Sequence, residues 1–146
     1  MRNAIPRWCV FLIGCAALGA CSRGDPSRKP TYPVRGEVYV DGQPAGQLAV
    51  TCHNVQGMDK ENPTASAAFT DDAGKFQIST YLSSDGVPEG EYVLTFLWGR
   101  HNLITMTYGG PDKLKNRYLD PKQSKVRFTV EKGKPLDLGR IELTTK

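Results

Sequence analysis

The sequence predicts an all-β domain, a seven-stranded antiparallel β-sandwich preceded by a signal peptide. Three observations predict the sandwich. Short apolar stretches alternate with polar positions at period two. Turn residues interrupt them at intervals of roughly ten residues. Gly and Pro are frequent, 15 and 10 of 146 residues, and follow no collagen-like repeat. With 39% hydrophobic residues the chain is too apolar for disorder, and its length suits one domain.

The signal comes first. Residues 1–7 carry Arg2 and Arg7 and no acid, and residues 8–20 (WCVFLIGCAALGA) are uncharged and mostly apolar. A basic start followed by a short apolar core is the pattern of a secretory signal peptide, and the core is shorter than the roughly 20 residues of a membrane-spanning helix. The polar, Pro-bearing stretch SRGDPSRKP that follows does not suit a chain entering a core. Leu18-Gly19-Ala20-Cys21 resembles a bacterial lipobox, in which cleavage leaves a diacylated Cys at the new terminus. Leu12-Ile13-Gly14-Cys15 fits the same pattern. Cys21 is preferred because it leaves an apolar core of normal length and a hydrophilic tether. The expected organisation is a signal over 1–20, lipidated Cys21 with a tether over 21–31, and the β domain over 32–146. Acyl chains on one residue anchor stably, since each buried methylene contributes about 0.8 kcal/mol. Neither Ser22 nor Arg23 is acidic, which by resemblance to enterobacterial sorting implies the outer rather than the inner membrane.

Cleavage removes Arg2 and Arg7 and no acid, so the formal charge of +4 falls by two, and nucleic acid is not an expected partner. It also removes Cys9 and Cys15. With Cys21 acylated, Cys52 stands alone and has no partner for an internal disulfide.

The β segments follow in order. Val34, Val38 and Val40 alternate with polar neighbours up to an Asp41-Gly42 hairpin turn. Leu48, Val50 and Cys52 form the next inward set. Residues 65–70 follow a polar loop and are anchored by Phe69, and Asp71-Asp72-Ala73-Gly74 turns the chain into Phe76 and Ile78. After a second loop over 83–90, residues 91–98 are apolar on both faces, as a central strand requires. Phe128 and Val130 are the inward set of the sixth strand. In the last strand Leu136 and Leu138 give way to Ile141 and Leu143, a phase slip that predicts a β-bulge at Gly139. Residues 99–124 break the pattern, and residues 111–118 (PDKLKNRY) predict a short helix ended by Asp120-Pro121.

These residues also carry a resemblance. Gly36-Glu37-Val38 with Asp41-Gly42-Gln43-Pro44 looks like the opening of carboxypeptidase-regulatory, transthyretin-like domains. Thr70-Asp71-Asp72-Ala73-Gly74-Lys75-Phe76 resembles their T-D-x-x-G-x-F turn, and Gly90-Glu91-Tyr92-Val93-Leu94 their G-x-Y-x-V strand. With residues 118–121, the chain is similar over about 32–143 to small bacterial lipoproteins built from a signal, a tether and one such domain. The motifs imply a fold. They imply little about function, because Gly supplies turns and the aromatic residues fill the core.

Each catalytic or metal-binding pattern in the sequence also has a simpler reading. Asp71-Asp72 reads as an Asx turn before it reads as a calcium site. Cys52 shares parity with Leu48 and Val50 and reads as a buried thiol. His53 and His101, with Met58 and Met106, show no ligand spacing for copper. Glu89 and Glu91 read as solvated charges. The chain ends Glu142-Leu143-Thr144-Thr145-Lys146, unlike the Tyr-Arg-Gly-Ser tail of the transthyretin-like enzyme that hydrolyses 5-hydroxyisourate. It has only two His, without the spacing of sandwich iron dioxygenases, and no nucleophile elbow, P-loop or HExxH. The sequence therefore predicts no catalytic residues, no metal, no cofactor and no enzyme.

What remains is an extracytoplasmic, lipid-anchored module at the cell envelope that binds a protein or glycan partner, or alternatively a passive spacer without a ligand. Counting turns puts the Asp41-Gly42 turn, the Asp71-Asp72 turn and residues 99–124 at one end, away from the tether. The candidate partner-binding residues are Arg100, His101, Tyr108, Lys113, Arg117 and Tyr118, because cations interleaved with Tyr suit an anionic or sugar-rich partner.

Overall fold

The computed structural model describes residues 27–60 and 63–146. The expected signal, Cys21 and most of the tether lie outside the described residues. The described chain is nearly all β. Its strands are β1 (Thr31–Tyr32), β2 (Val34–Val40), β3 (Gln43–Pro44), β4 (Ala49–Asn54), β5 (Ser66–Phe69), β6 (Lys75–Gln77), β7 (Val87–Pro88), β8 (Gly90–Leu97), β9 (Arg100–Asn102), β10 (Thr107–Gly109), β11 (Arg127–Val130) and β12 (Leu136–Leu143). The seven segments with period-two or apolar patterning correspond to β2, β4, β5, β6, β8, β11 and β12. The other five strands are two or three residues long.

Two four-stranded sheets organise the chain. In sheet I, β12 lies on one side of β2, while β3 and β6 share the other side. Sheet II runs β11-β8-β4-β5 and is antiparallel throughout. Sheet I departs from the expected all-antiparallel pairing, because β12 runs parallel to β2, with Val34 opposite Leu136 and Val40 opposite Leu143. The two ends of the domain meet there, and local patterning carries no information on such a pairing. The register shifts between Asp137 and Arg140, where Gly139 takes φ +64°. This is the bulge that moves the inward set from Leu136 and Leu138 to Ile141 and Leu143.

Inward residues from both sheets join one apolar cluster. Val34, Val38, Phe76, Ile78, Ile141 and Leu143 meet Val50, Cys52, Leu94, Phe96, Phe128 and Val130, and all are buried. Tyr92 stacks on Phe128 with centroids 5.8 Å apart. A bridge between Ala67 and Ser79 joins β5 to the chain leaving β6 and closes one side. Two sheets on a shared core are consistent with a β-sandwich.

Residues 111–118 do not form the expected helix. Lys115 and Asn116 take φ +58° and +60°, and the Asp112 carboxylate accepts the backbone N–H groups of Trp98, Leu114 and Asn116. Asp112 thereby organises tight turns where a helix would need its own carbonyls. Those turns drive Leu114 fully into the core. A short 3-10 turn follows at Pro121–Gln123, capped by the Asp120 side chain.

Phe69 also departs from its expected role as an anchor. It is 51% exposed on the outer face of sheet II, while Ser66 is buried and Ala68 half-buried on the inner side.

Candidate functional site

Residues 99–110 fold as a β hairpin that the strand patterning missed. β9 and β10 pair with His101 opposite Tyr108 and form a separate two-stranded sheet. The hairpin docks by the Tyr108 hydroxyl, which accepts the Gly99 N–H at 2.9 Å and faces the carbonyls of Gln47 (2.8 Å) and Leu97 (3.1 Å). Having one proton, the hydroxyl donates to one of the two carbonyls at a time. Burial pushes the Tyr108 hydroxyl above the ordinary tyrosine range, against the opposing pull of the Gly99 N–H.

Docking brings three rings together on the outer face of sheet II. Phe69 meets Tyr108 edge-on at 4.9 Å and His101 at 5.4 Å, and His101 and Tyr108 lie 4.8 Å apart. These separations are those of favourable aromatic pairs. Beside them, Trp98 donates its indole N–H to the Gly46 carbonyl at 3.1 Å, and the Lys113 ammonium sits 4.2 Å from its ring centroid. Arg100, His101, Leu103, Lys113, Trp98 and Asp72 border an open hollow of about 470 Å³. The hollow offers cations, an acid and ring faces within a short span.

Four of the six predicted residues therefore converge: Arg100, His101, Tyr108 and Lys113. Arg117 and Tyr118 lie elsewhere, on a slot of about 380 Å³ floored by Leu94, Phe96 and Leu143. There Tyr118 packs edge-on against Phe96 and accepts the Thr144 N–H at 3.0 Å, while Arg117 donates to the carbonyls of Thr144 and Lys146. Both side chains hold the C-terminal tail. Phe69 and Trp98 belong to the converging group and were missed. Phe69 was legible from parity, because it alternates with Ala68 and Ser66.

The other reactive side chains are occupied by structure. Burial pushes the Cys52 thiol up to about 12, far from the thiolate that nucleophilic chemistry needs. His53 Nε2 lies 2.8 Å from Thr95 Oγ1, and burial lowers its pKa. Asp71 Oδ1 accepts the N–H groups of Ala73 and Lys75, an Asx turn. Glu91 pairs with Arg127 across β8 and β11 at 4.0 Å. Among the described residues no group of three His, Cys, Asp or Glu side chains is placed to hold a metal ion.

No protein-family model matches this chain, and no curated protein matches it. Among solved structures it is similar to a DUF3823 family protein from Parabacteroides merdae, at 15% identity and a TM-score of 0.40 over 80% of this chain and 46% of that one. It is also similar to an (S)-allantoin synthase, at 15% identity and a TM-score of 0.44, covering 80% of this chain and 42% of the synthase. A 9R-lipoxygenase from Cyanothece gives 11% identity and a TM-score of 0.39, covering 78% of this chain and 16% of the enzyme. The chain spans less than half the length of each of these proteins. At such values the likenesses carry no functional assignment.

Proposed function

We propose that this chain is a non-catalytic binding module, held on the extracytoplasmic side of a membrane by a lipid on Cys21. Its body is read as a carboxypeptidase-regulatory-like, transthyretin-like β-sandwich, and its membrane as the outer one. The observation that carries the binding reading is one open hollow bordered by Trp98, Arg100, His101 and Lys113, with the Phe69 and Tyr108 rings packed against His101 beside it. Ring faces stack on sugars, the two cations pair with acidic groups, and Asp72 and Gln47 accept from hydroxyls. An acidic, sugar-rich envelope partner fits that set. Cys52, buried with its thiol pushed up to about 12, and His53, facing Thr95 Oγ1 at 2.8 Å, are read as structural side chains. The family reading rests on its motif residues: Gly36 lies against the Phe76 ring, Asp71 closes the β5–β6 turn, and Tyr92 donates to the Pro88 carbonyl at 2.9 Å.

The binding test is the Arg100→Ala, His101→Ala, Lys113→Ala triple variant in envelope pull-downs. Tyr108 is spared because its hydroxyl docks the hairpin. Loss of a partner with an unchanged melting temperature is the expected result. An identical partner list for the folded variant overturns the site and leaves the passive spacer. Anchoring is tested separately, by incorporation of labelled fatty acid that Cys21→Ser abolishes. Labelling that survives Cys21→Ser and fails in Cys15→Ser moves the anchor to Cys15.

A further inference from the structure

The four-residue tip between β9 and β10 turns its apolar side chains to solvent. Leu103, Ile104 and Met106 are 83%, 94% and 86% exposed. The tip is held in this shape. The Asn102 side chain accepts the N–H groups of Ile104 (3.0 Å) and Thr105 (3.2 Å), and Thr105 and Thr107 hydroxyls meet at 2.8 Å. Local hydrogen bonds thus fix a convex apolar point that no part of the described chain covers.

Its surroundings are cationic. Residues 98–111 contain no acid. Arg100 and Lys113 border the same hollow as Leu103, and the nearest following acid, Asp112, has its oxygens occupied by three backbone N–H groups. Asp72 stands at the base of the hollow beside Gly46. An apolar point backed by cations matches the boundary between acyl chains and anionic headgroups.

We infer that the β9–β10 tip dips into an anionic lipid bilayer, with Leu103, Ile104 and Met106 among the acyl chains and Arg100 and Lys113 at the headgroups. A convex point needs no matching groove in a fluid bilayer. The alternative occupant, a second copy that takes the tip into the apolar slot beside Tyr118, would make a heterologous contact that builds a ring or an open filament. This inference goes beyond the partner-binding reading and does not depend on the Cys21 anchor.

The test places a diazirine amino acid at Ile104 in the full chain and irradiates it with phosphatidylcholine vesicles, with and without phosphatidylglycerol. Adducts are mapped by mass spectrometry against the same probe at exposed Thr129 on β11. Lipid adducts at 104, several-fold above those at 129 and rising with phosphatidylglycerol, are expected. Arg100→Ala and Lys113→Ala should each lower them about fivefold, and Cys21→Ser should leave the excess at 104 intact. Adducts to a second copy, no lipid adduct, or equal labelling at 104 and 129 overturns the inference.

Discussion

Replacing Tyr108 by Phe removes one oxygen and leaves the ring that packs between Phe69 and His101. The hydroxyl accepts one hydrogen bond, from the Gly99 N–H, and donates one, to Gln47 or Leu97. Each such bond contributes about 1 kcal/mol net, so Tyr108→Phe costs about 2 kcal/mol. That loss falls on a hairpin of only three residue pairs, and not on the core. Opening of the hairpin then becomes about thirtyfold more frequent, since 1.4 kcal/mol is tenfold. Amide hydrogen exchange reads this directly, because the Gly99 proton is the one given to the Tyr108 oxygen. The Gly99 amide should exchange about thirtyfold faster, while amides of β4 and β8 keep their protection. Alkali should act in the same direction. The native pKa of Tyr108 lies above its unfolded value, so its contribution is complete below about pH 10 and fades as pH rises through the native pKa. Unchanged Gly99 exchange, or an equal acceleration in β4 and β8, would refute the idea that one hydroxyl docks the hairpin.

Three further outcomes are expected. Cys52, buried and with its thiol pushed up to about 12, should react with a thiol reagent only after unfolding, and rapid labelling of the native protein would contradict its inward position. Gly86 and Gly133 take φ +87° and +76°, yet a Cβ at Gly86 would lie 1.8 Å from the Tyr32 carbonyl oxygen whereas one at Gly133 meets nothing within 4 Å. Gly133→Ala should therefore cost about 1–2 kcal/mol for its backbone alone. Gly86→Ala should cost clearly more by denaturant titration, and equal costs would count against the docking of β1 over residue 86. His53 has a native pKa lowered by burial, so its contribution is present above about pH 6.5 and is lost as pH falls through the native value. His53→Gln should flatten the loss of melting temperature between pH 7.5 and 5, and an unchanged slope would assign that loss to other groups.

How much was legible depended on whether a residue faced the core. Val34, Val38, Val50, Phe76, Phe128 and Ile141 announce their strands because burial on one face imposes alternation. Even the bulge at Gly139 was written in that phase. β1, β3 and β7 are two residues long, too short to carry any period. β9 and β10 were hidden for another reason. Their apolar residues sit at the tip in solvent, so the hairpin has no inward set to display. The helix expected over 111–118 does not form, because the Asp112 carboxylate gathers three backbone N–H groups into turns. The candidate site was half legible. Arg100, His101, Tyr108 and Lys113 are close in sequence and in space, whereas Arg117 and Tyr118 are close only in sequence. The chain turns at Lys115 and Asn116, and this carries Arg117 and Tyr118 to the C-terminal tail.

The parallel seam between β2 and β12 sets the order in which this domain is able to fold. Among the described strands β2 comes early and β12 comes last, and the ion pair between Arg35 and Asp137 spans 102 residues of chain. Loop closure over that distance must precede any gain from the contacts it makes. Sheet II, from β4 to β11, can assemble as its strands appear. In sheet I, β3 and β6 can pair with β2 early, but the opposite edge of β2 stays open until β12 arrives. The seam between β2 and β12 is therefore the last contact of sheet I to form, whatever the rest of the sheet has already paired.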